Sequence, residues 1–329
     1  MTAGAVDQKL PKAELHVHLE GTITPRLARE IAQRNGKTLP PGLIDGESSY
    51  RWSSPSEFFE AYDAAASCLA TAGDYAEITS RYLSGLAGEG AIYAELTVSP
   101  SHAASVGVTW EDHLDGVADG VHRARAATGI EARLIVTALR HEPPEQALEM
   151  ARRLYEEPHP LVTGFGLAGD EQANPLGGFA AAFELARSAG LGCTVHAGEI
   201  LGAESVSEAL DLPITRMGHG VRAIEDGAVV EALVRQSIVL EVCPSSNLAL
   251  GVFPTWEDHP LRRLREAGVA VTLNTDDPPH FATTLGAEYG LARRVFGFSD
   301  EDLRATTRTA LSAAFVDDQT RARLLDQVV

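Results

Sequence analysis

Eight short apolar runs separated by amphipathic stretches constrain this chain more than any other feature. The runs fall at 13–18, 92–98, 133–139, 162–166, 192–196, 214–219, 238–243 and 270–274. Several are continuously apolar instead of alternating, as expected for parallel strands covered on both faces. Between them lie helical patterns at 110–127, 145–156, 179–189, 226–236 and 260–267. Eight strands alternating with helices predict a closed (β/α)8 barrel of the TIM type in one domain spanning 1–329. A doubly wound open sheet is the alternative, but the Gly-x-Gly-x-x-Gly expected after its first strand is missing. The first two strands are separated by about seventy residues, against roughly thirty in an ordinary repeat. This enlarged helical insertion, within about 20–90, carries patterns at 24–33 and 56–69. It leaves the first strand at the face where barrels do chemistry, so a lid is expected. Two C-terminal helices, 300–311 and 319–328, close the chain.

Four fragments sit at the C-terminal ends of these strands. They are Leu15-His16-Val17-His18-Leu19-Glu20-Gly21, Val195-His196-Ala197-Gly198-Glu199, Met217-Gly218-His219-Gly220 and Leu273-Asn274-Thr275-Asp276-Asp277-Pro278. Side chains on a strand alternate faces, so His16 and His18 point the same way and can chelate one ion. An isolated His-x-His is more often two solvated histidines; here the pair closes an apolar run and meets Gly21, where a chain leaves a strand. Together, His16, His18, His196 and Asp276 offer three imidazoles and a carboxylate to one divalent metal, which leaves room for water. Glu199 is placed as a general acid or base, and His219 to hold or deprotonate that water. Asp277, next to Asp276, suits a hydrogen bond to substrate.

Charge and lysine content narrow the chemistry. The 46 acidic and 27 basic residues give a net charge of −19, which argues against nucleic-acid or anionic-membrane partners. Lysine occurs only at Lys9, Lys12 and Lys37. That excludes a Schiff-base lysine on the later strands and a phosphate-loop Gly-Lys-Ser/Thr. It also excludes the carbamylated lysine that bridges two metals, so one metal ion per chain is expected. No apolar run approaches the ~20 residues of a membrane span, and residues 1–12 show no signal-peptide core. Cys68, Cys193 and Cys243 lie far apart, as for reduced thiols in a cytoplasmic protein.

The ordered strings His-x-His-Leu-Glu-Gly, Leu-Ala-Gly-Asp-Glu, His-Ala-Gly-Glu, Gly-His-Gly, Cys-Pro-x-Ser-Asn and Asn-Thr-Asp-Asp-Pro resemble the adenosine deaminase family of the amidohydrolase superfamily. The likeness runs in the family's order from about residue 10 to the C-terminus. It implies a zinc barrel in which metal-activated water attacks C6 of a purine and ammonia leaves. By motif, His16, His18, His196 and Asp276 would bind zinc and Glu199 would protonate N1. His219 would orient and deprotonate the water. Asp277 would hydrogen-bond N7, and the Gly169 N–H would reach N3, where the missing side chain permits close approach.

One position departs from the pattern. Adenosine deaminases often carry aspartate two residues after the second histidine, against the ribose, and here the residue is Glu20. Family members acting on free adenine can also have glutamate there. The resemblance implies deamination of adenosine or 2′-deoxyadenosine to inosine or 2′-deoxyinosine, with Glu20 accepting from a sugar hydroxyl. Adenine or another 6-aminopurine is the alternative. A non-catalytic zinc-binding barrel would be marked by loss of Glu199 or His219, and both are present. His18-Leu19-Glu20 also fits the His-x-Glu of cytidine-type zinc deaminases, but their Pro-Cys-x-x-Cys is absent. Phe58, Phe59 and Tyr62 suit either core or an apolar wall over a purine. His280 follows the last motif in the catalytic-face loop, whereas His102, His113, His122, His141, His159 and His259 read as surface or packing residues.

Overall fold

In the computed structural model, residues 10–46 and 49–328 are described; the first nine residues of the 1–12 stretch lie outside them. The eight expected strands form: β1 Lys12–Glu14, β2 Ala91–Val98, β3 Glu131–Leu139, β4 Val162–Ala168, β5 Gly192–Ala197, β6 Arg216–His219, β7 Val239–Val242 and β8 Ala270–Leu273. They pair in sequence order, all parallel. Around them run α1 Pro25–Arg34, α2 Pro55–Ala66, α3 Ala72–Gly88, α4 Pro100–Ser105, α5 Trp110–Thr128, α6 Pro144–Glu156 and α7 Ala180–Ser188. Then follow α8 Ala203–Ala209, α9 Gly227–Gln236, α10 Pro244–Ala249, α11 Leu261–Glu266, α12 Leu285–Phe296, α13 Asp300–Ala313 and α14 Asp318–Leu325. This is the TIM-type (β/α)8 architecture.

The first strand differs from its expected span, 13–18, because side chains stitch the closing seam. Asn274 Oδ1 accepts from Leu15 N–H at 2.9 Å, and Glu14 Oε1 accepts from Thr275 N–H at 2.7 Å. The ladder ends early, yet the ring closes above it: His16 O accepts from Asp276 N–H at 3.1 Å, and His18 N–H donates to Asp276 O at 3.0 Å. The alternation holds through this stretch, with Leu15, Val17 and Leu19 fully buried in the wall. His16, His18 and Asp276 are therefore fixed to one another by backbone bonds.

The insertion divides into two parts with different neighbours. Helix α2, capped by the Ser54 hydroxyl with Pro55 in its first turn, places Phe58 and Tyr62 against Phe281 of the last catalytic-face loop. Helix α3 starts from a capping box at Thr71 and Asp74 and packs on α5 and β2 as part of the outer ring. Neither α3 nor α12 stands out in the sequence, since glycines such as Gly85, Gly286 and Gly290 weaken the helical signal. No helix among the described residues is long and apolar enough to cross a membrane.

Candidate active site

The C-terminal ends of the strands open into a cavity of about 570 Å³, within the usual range for small-molecule sites. Of the nine residues singled out in the sequence, eight line it: His18, Glu20, Gly169, His196, Glu199, His219, Asp276 and Asp277. His16, only 2% exposed, lies directly behind. A larger groove, about 1360 Å³, runs between α1, α3 and the 278–285 loop and holds none of the nine.

Each candidate ligand is oriented from behind. His16 Nδ1 sits 2.8 Å from Glu241 Oε2, and His196 Nδ1 lies 3.1 Å from Leu167 O. Both rings thus donate outward and turn Nε2 inward, as metal-ligating histidines do; His196 Nε2 there lies 3.2 Å from His18 Nε2. Asp276, in the left-handed backbone region at φ 64°, accepts from Ser246 Oγ at 2.7 Å through Oδ2. One ligating atom from each of His16, His18, His196 and Asp276 falls within 4.8 Å of the others. His16 Nε2 and Asp276 Oδ1 are buried without a hydrogen-bond partner. Burial alone would lower the His16 pKa, yet Asp276 and Glu241 push it up to about 10. The protein field there favours a cation. Unpartnered nitrogen and oxygen atoms converging on one point in a negative field suit zinc, whose donor preferences match this set.

Cys243 is close enough to join a His219, Cys243 and Asp276 group. Burial pushes its thiol pKa well up, and its sulfur is 3.6 Å from Glu241 O, so it behaves as a packed thiol.

The remaining polar groups face the same space. Glu199 Oε2 is 3.6 Å from His219 Nε2; burial and the Asp276 and Glu171 carboxylates hold Glu199 well above the usual carboxylate range. A carboxyl whose pKa is raised in this way is better suited to donate a proton. Asp277 Oδ1 is buried and unpartnered, and a Cβ on Gly21 would come within 1.7 Å of it. Gly21 is thus the space into which Asp277 turns. Glu20 is 1% exposed, with Oε1 3.4 Å from Ser99 N and 3.9 Å from His113 Nε2. Gly169 adopts φ 90° just past β4. Phe58, Phe59 and Tyr62 line the cavity, while His280 stands outside the lining, stacked on Tyr50 with centroids 4.1 Å apart.

Several contributors went unnamed in the sequence reading. Glu171 accepts from the N–H groups of Gly198, Ile200 and Leu201 and from Ser205 Oγ, which fixes the turn that carries Glu199. Its place in Leu-Ala-Gly-Asp-Glu was the available signal. Glu241 was visible as the one charge in an apolar strand. Ser246 and Asn247 belong to the Cys-Pro-x-Ser-Asn string, which carried no assigned roles.

Comparison with known proteins agrees with this geometry. The adenosine deaminase family profile matches residues 11–329. The chain belongs to the adenosine deaminase family. Among curated relatives, the adenine deaminase of Rhizobium leguminosarum bv. trifolii is 49% identical over 317 residues, covering 96% of this chain and 98% of that one. Among solved structures, the adenine deaminase of Arthrobacter aurescens superposes with a TM-score of 0.89 at 33% identity, covering 97% and 98% of the two chains. An amidohydrolase from Burkholderia ambifaria with bound Zn gives 0.87 at 26% identity, covering 100% and 96%. The family is an amidohydrolase one, and the chain is a hydrolytic deaminase of aminopurines.

Proposed function

We propose that this chain hydrolyses free adenine to hypoxanthine and ammonia with one zinc ion. The observation that carries this reading is the 49% identity, over nearly the whole of both chains, to a curated adenine deaminase. It displaces the expectation of adenosine or 2′-deoxyadenosine as preferred substrate. That expectation rested on Glu20 accepting from a sugar hydroxyl. Glu20 is instead buried, with Ser99 N–H and His113 beside its carboxyl, and burial raises its pKa. It closes that side of the cavity beneath Phe58 and Tyr62, which suits a base without a sugar.

His16, His18, His196 and Asp276 would hold the zinc. When bound, zinc supplies Lewis acidity that makes water a competent nucleophile near neutral pH. The chain's own groups would do the rest. Glu199, kept protonated by burial, would deliver a proton to N1 as C6 is attacked. Asp277 would bond the imidazole edge of the base at N7, and the Gly169 N–H would reach N3. His219 would orient the water. The Phe58 and Tyr62 rings would cover the purine face and exclude bulk water, giving the α2 part of the insertion the role of a lid. Three buried thiols, Cys68, Cys193 and Cys243, fit a reducing compartment such as the cytoplasm.

The test is elemental analysis of the purified protein together with ammonia release from adenine, adenosine and 2′-deoxyadenosine. The expected result is one zinc per chain and a kcat/KM for adenine at least about tenfold above either nucleoside, in line with the adenine deaminases that the chain resembles. A nucleoside preferred over adenine would overturn the reading.

A further inference from the structure

His219 is reached from behind by a chain of hydrogen bonds whose direction the backbone sets. Its outermost member is the Leu261 N–H, 3.2 Å from His259 Nδ1. A main-chain N–H can only donate, so His259 Nδ1 must be a lone pair. The His259 ring is 3% exposed, packed between Phe253 and Phe296 at centroid distances of 5.3 and 5.4 Å. Burial there lowers its pKa to about 3, leaving a neutral ring with its one proton on Nε2. That nitrogen is 3.2 Å from Asn247 Oδ1. The Asn247 amide is thereby oriented, oxygen toward His259 and nitrogen toward His219, since the alternative flip would set two N–H donors face to face. Asn247 is fully buried, and its Nδ2 stands 3.2 Å from His219 Nδ1.

We propose that Asn247 and His259 are positioning residues that hold neutral His219 as the Nε2–H tautomer, so that it meets the water as a hydrogen-bond donor. Nδ1 of His219 accepts from Asn247, and Nε2 carries the proton into the cavity. That Nε2 has no hydrogen-bond partner among the described residues; Glu199 Oε2 is 3.6 Å away and Asp276 Oδ2 3.9 Å. A His219 that takes a proton from the water needs the opposite tautomer, with Nδ1–H directed at the amide of Asn247. Reversing the direction means flipping Asn247 and moving the His259 proton onto Nδ1, against the Leu261 N–H. Each clash leaves a buried donor unpaired. His219 orients the nucleophile by donating to its oxygen, so the proton that the water gives up on becoming hydroxide passes to solvent before attack and not to His219, while Glu199 supplies the proton for N1. The inference refines the deaminase reading, but it concerns a tautomer that exists without substrate.

The test is nitrogen-15 NMR of histidine-labelled protein, zinc-loaded and zinc-free, with His219 and His259 assigned. The expected result is a protonated Nε2 and an unprotonated Nδ1 on both rings. A proton on His219 Nδ1 in the unmodified protein overturns the proposal whatever the enzyme deaminates. Asn247→Asp sharpens it: a carboxylate can only accept, so the His219 proton should move to Nδ1. Turnover of adenine should then fall about 10- to 100-fold, as loss of an outer partner commonly costs, with KM nearly unchanged. If Asn247→Asp retains the Nε2–H signature and full kcat, the proposal also fails. If that variant does not fold, the spectrum of the unmodified protein decides alone.

Discussion

The two ends of the barrel interior both bury charge, but they handle it in opposite ways. Toward the N-terminal ends of the strands, Arg216 is completely buried and fully engaged. Its Nε lies 2.7 Å from Glu241 Oε1, a second nitrogen bonds Glu95 Oε2, and a third donates to Ala313 O. The Phe315 ring lies 3.6 Å from the guanidinium carbon, and Phe315 N–H donates to Glu95 Oε1 at 2.6 Å. Toward the C-terminal ends, His16 Nε2, His219 Nε2, Asp276 Oδ1 and Asp277 Oδ1 are buried too and have no hydrogen-bond partner among the described residues; His16 Nε2 and Asp276 Oδ1 are 3.4 Å apart. Satisfied charge is a structural device; unsatisfied charge marks where ligands bind. Glu241 joins the two regions, with Oε1 toward Arg216 and Thr194 and Oε2 toward His16.

Substitutions at the two ends should therefore separate rate from stability. Glu199→Gln cannot deliver the proton to N1 and should lower kcat by roughly 10²- to 10⁴-fold. It should keep zinc content and unfolding midpoint within experimental spread, because no hydrogen bond within the protein depends on its charge. Steady-state kinetics with zinc analysis and urea unfolding check this; more than a tenth of parent activity would leave Glu199 only a structural partner. Arg216→Met should do the reverse. It strands Glu95 and Glu241 in the core and should cost about 3–5 kcal/mol of stability, as broken buried pairs do. Any loss of rate should follow from His16 losing its fixed carboxylate. A variant of parental stability and much reduced activity would break the division between the two ends.

The barrel was legible because its signal is periodic: each strand is an apolar run, and seven of the eight fall within a few residues of their expected bounds. The convergence of His16, His18, His196 and Asp276 was legible because these candidate ligands end those runs, which places them at one face. What escaped notice acts through geometry that sequence does not display. Glu171 and Glu241 lie 27 and 225 residues from groups they hold, Gly198 and His16. His259 read as a packing histidine, which describes its ring but not the direction of its hydrogen bonds. The expectation of adenosine, which the adenine deaminases among the relatives do not support, turned on a related point. Glu20 has the right chemistry for a sugar hydroxyl, and the sequence does not show that its carboxyl is buried beside Ser99 N–H and His113.

A third buried charge, Glu288 at the start of α12, tests whether the rule extends beyond these two ends. Its Oε1 accepts from the Thr283 hydroxyl, and Ser245 also lies near enough to pull its pKa down. Its Oε2 is buried with no hydrogen-bond partner among the described residues, and no cation bonds it. Burial raises its pKa from 4.5 to about 7, with those hydrogen bonds pulling the other way. Between these values the folded chain holds a proton that the unfolded chain has released. The stabilisation is complete below pH 4.5 and is lost as pH rises through 7. Glu288→Gln carries no charge at any pH and should remove that loss. Urea unfolding of both proteins from pH 4 to 8 should show the variant gaining on the parent as pH rises, by on the order of 2 to 3 kcal/mol across the window. Zinc binding and every other titration contribute alike to both proteins, so the difference isolates this one carboxyl. Parallel stability curves would mean that Glu288 is ionised at neutral pH with solvent as its partner, and burial without a cation would then not be enough to keep a carboxyl neutral in this fold.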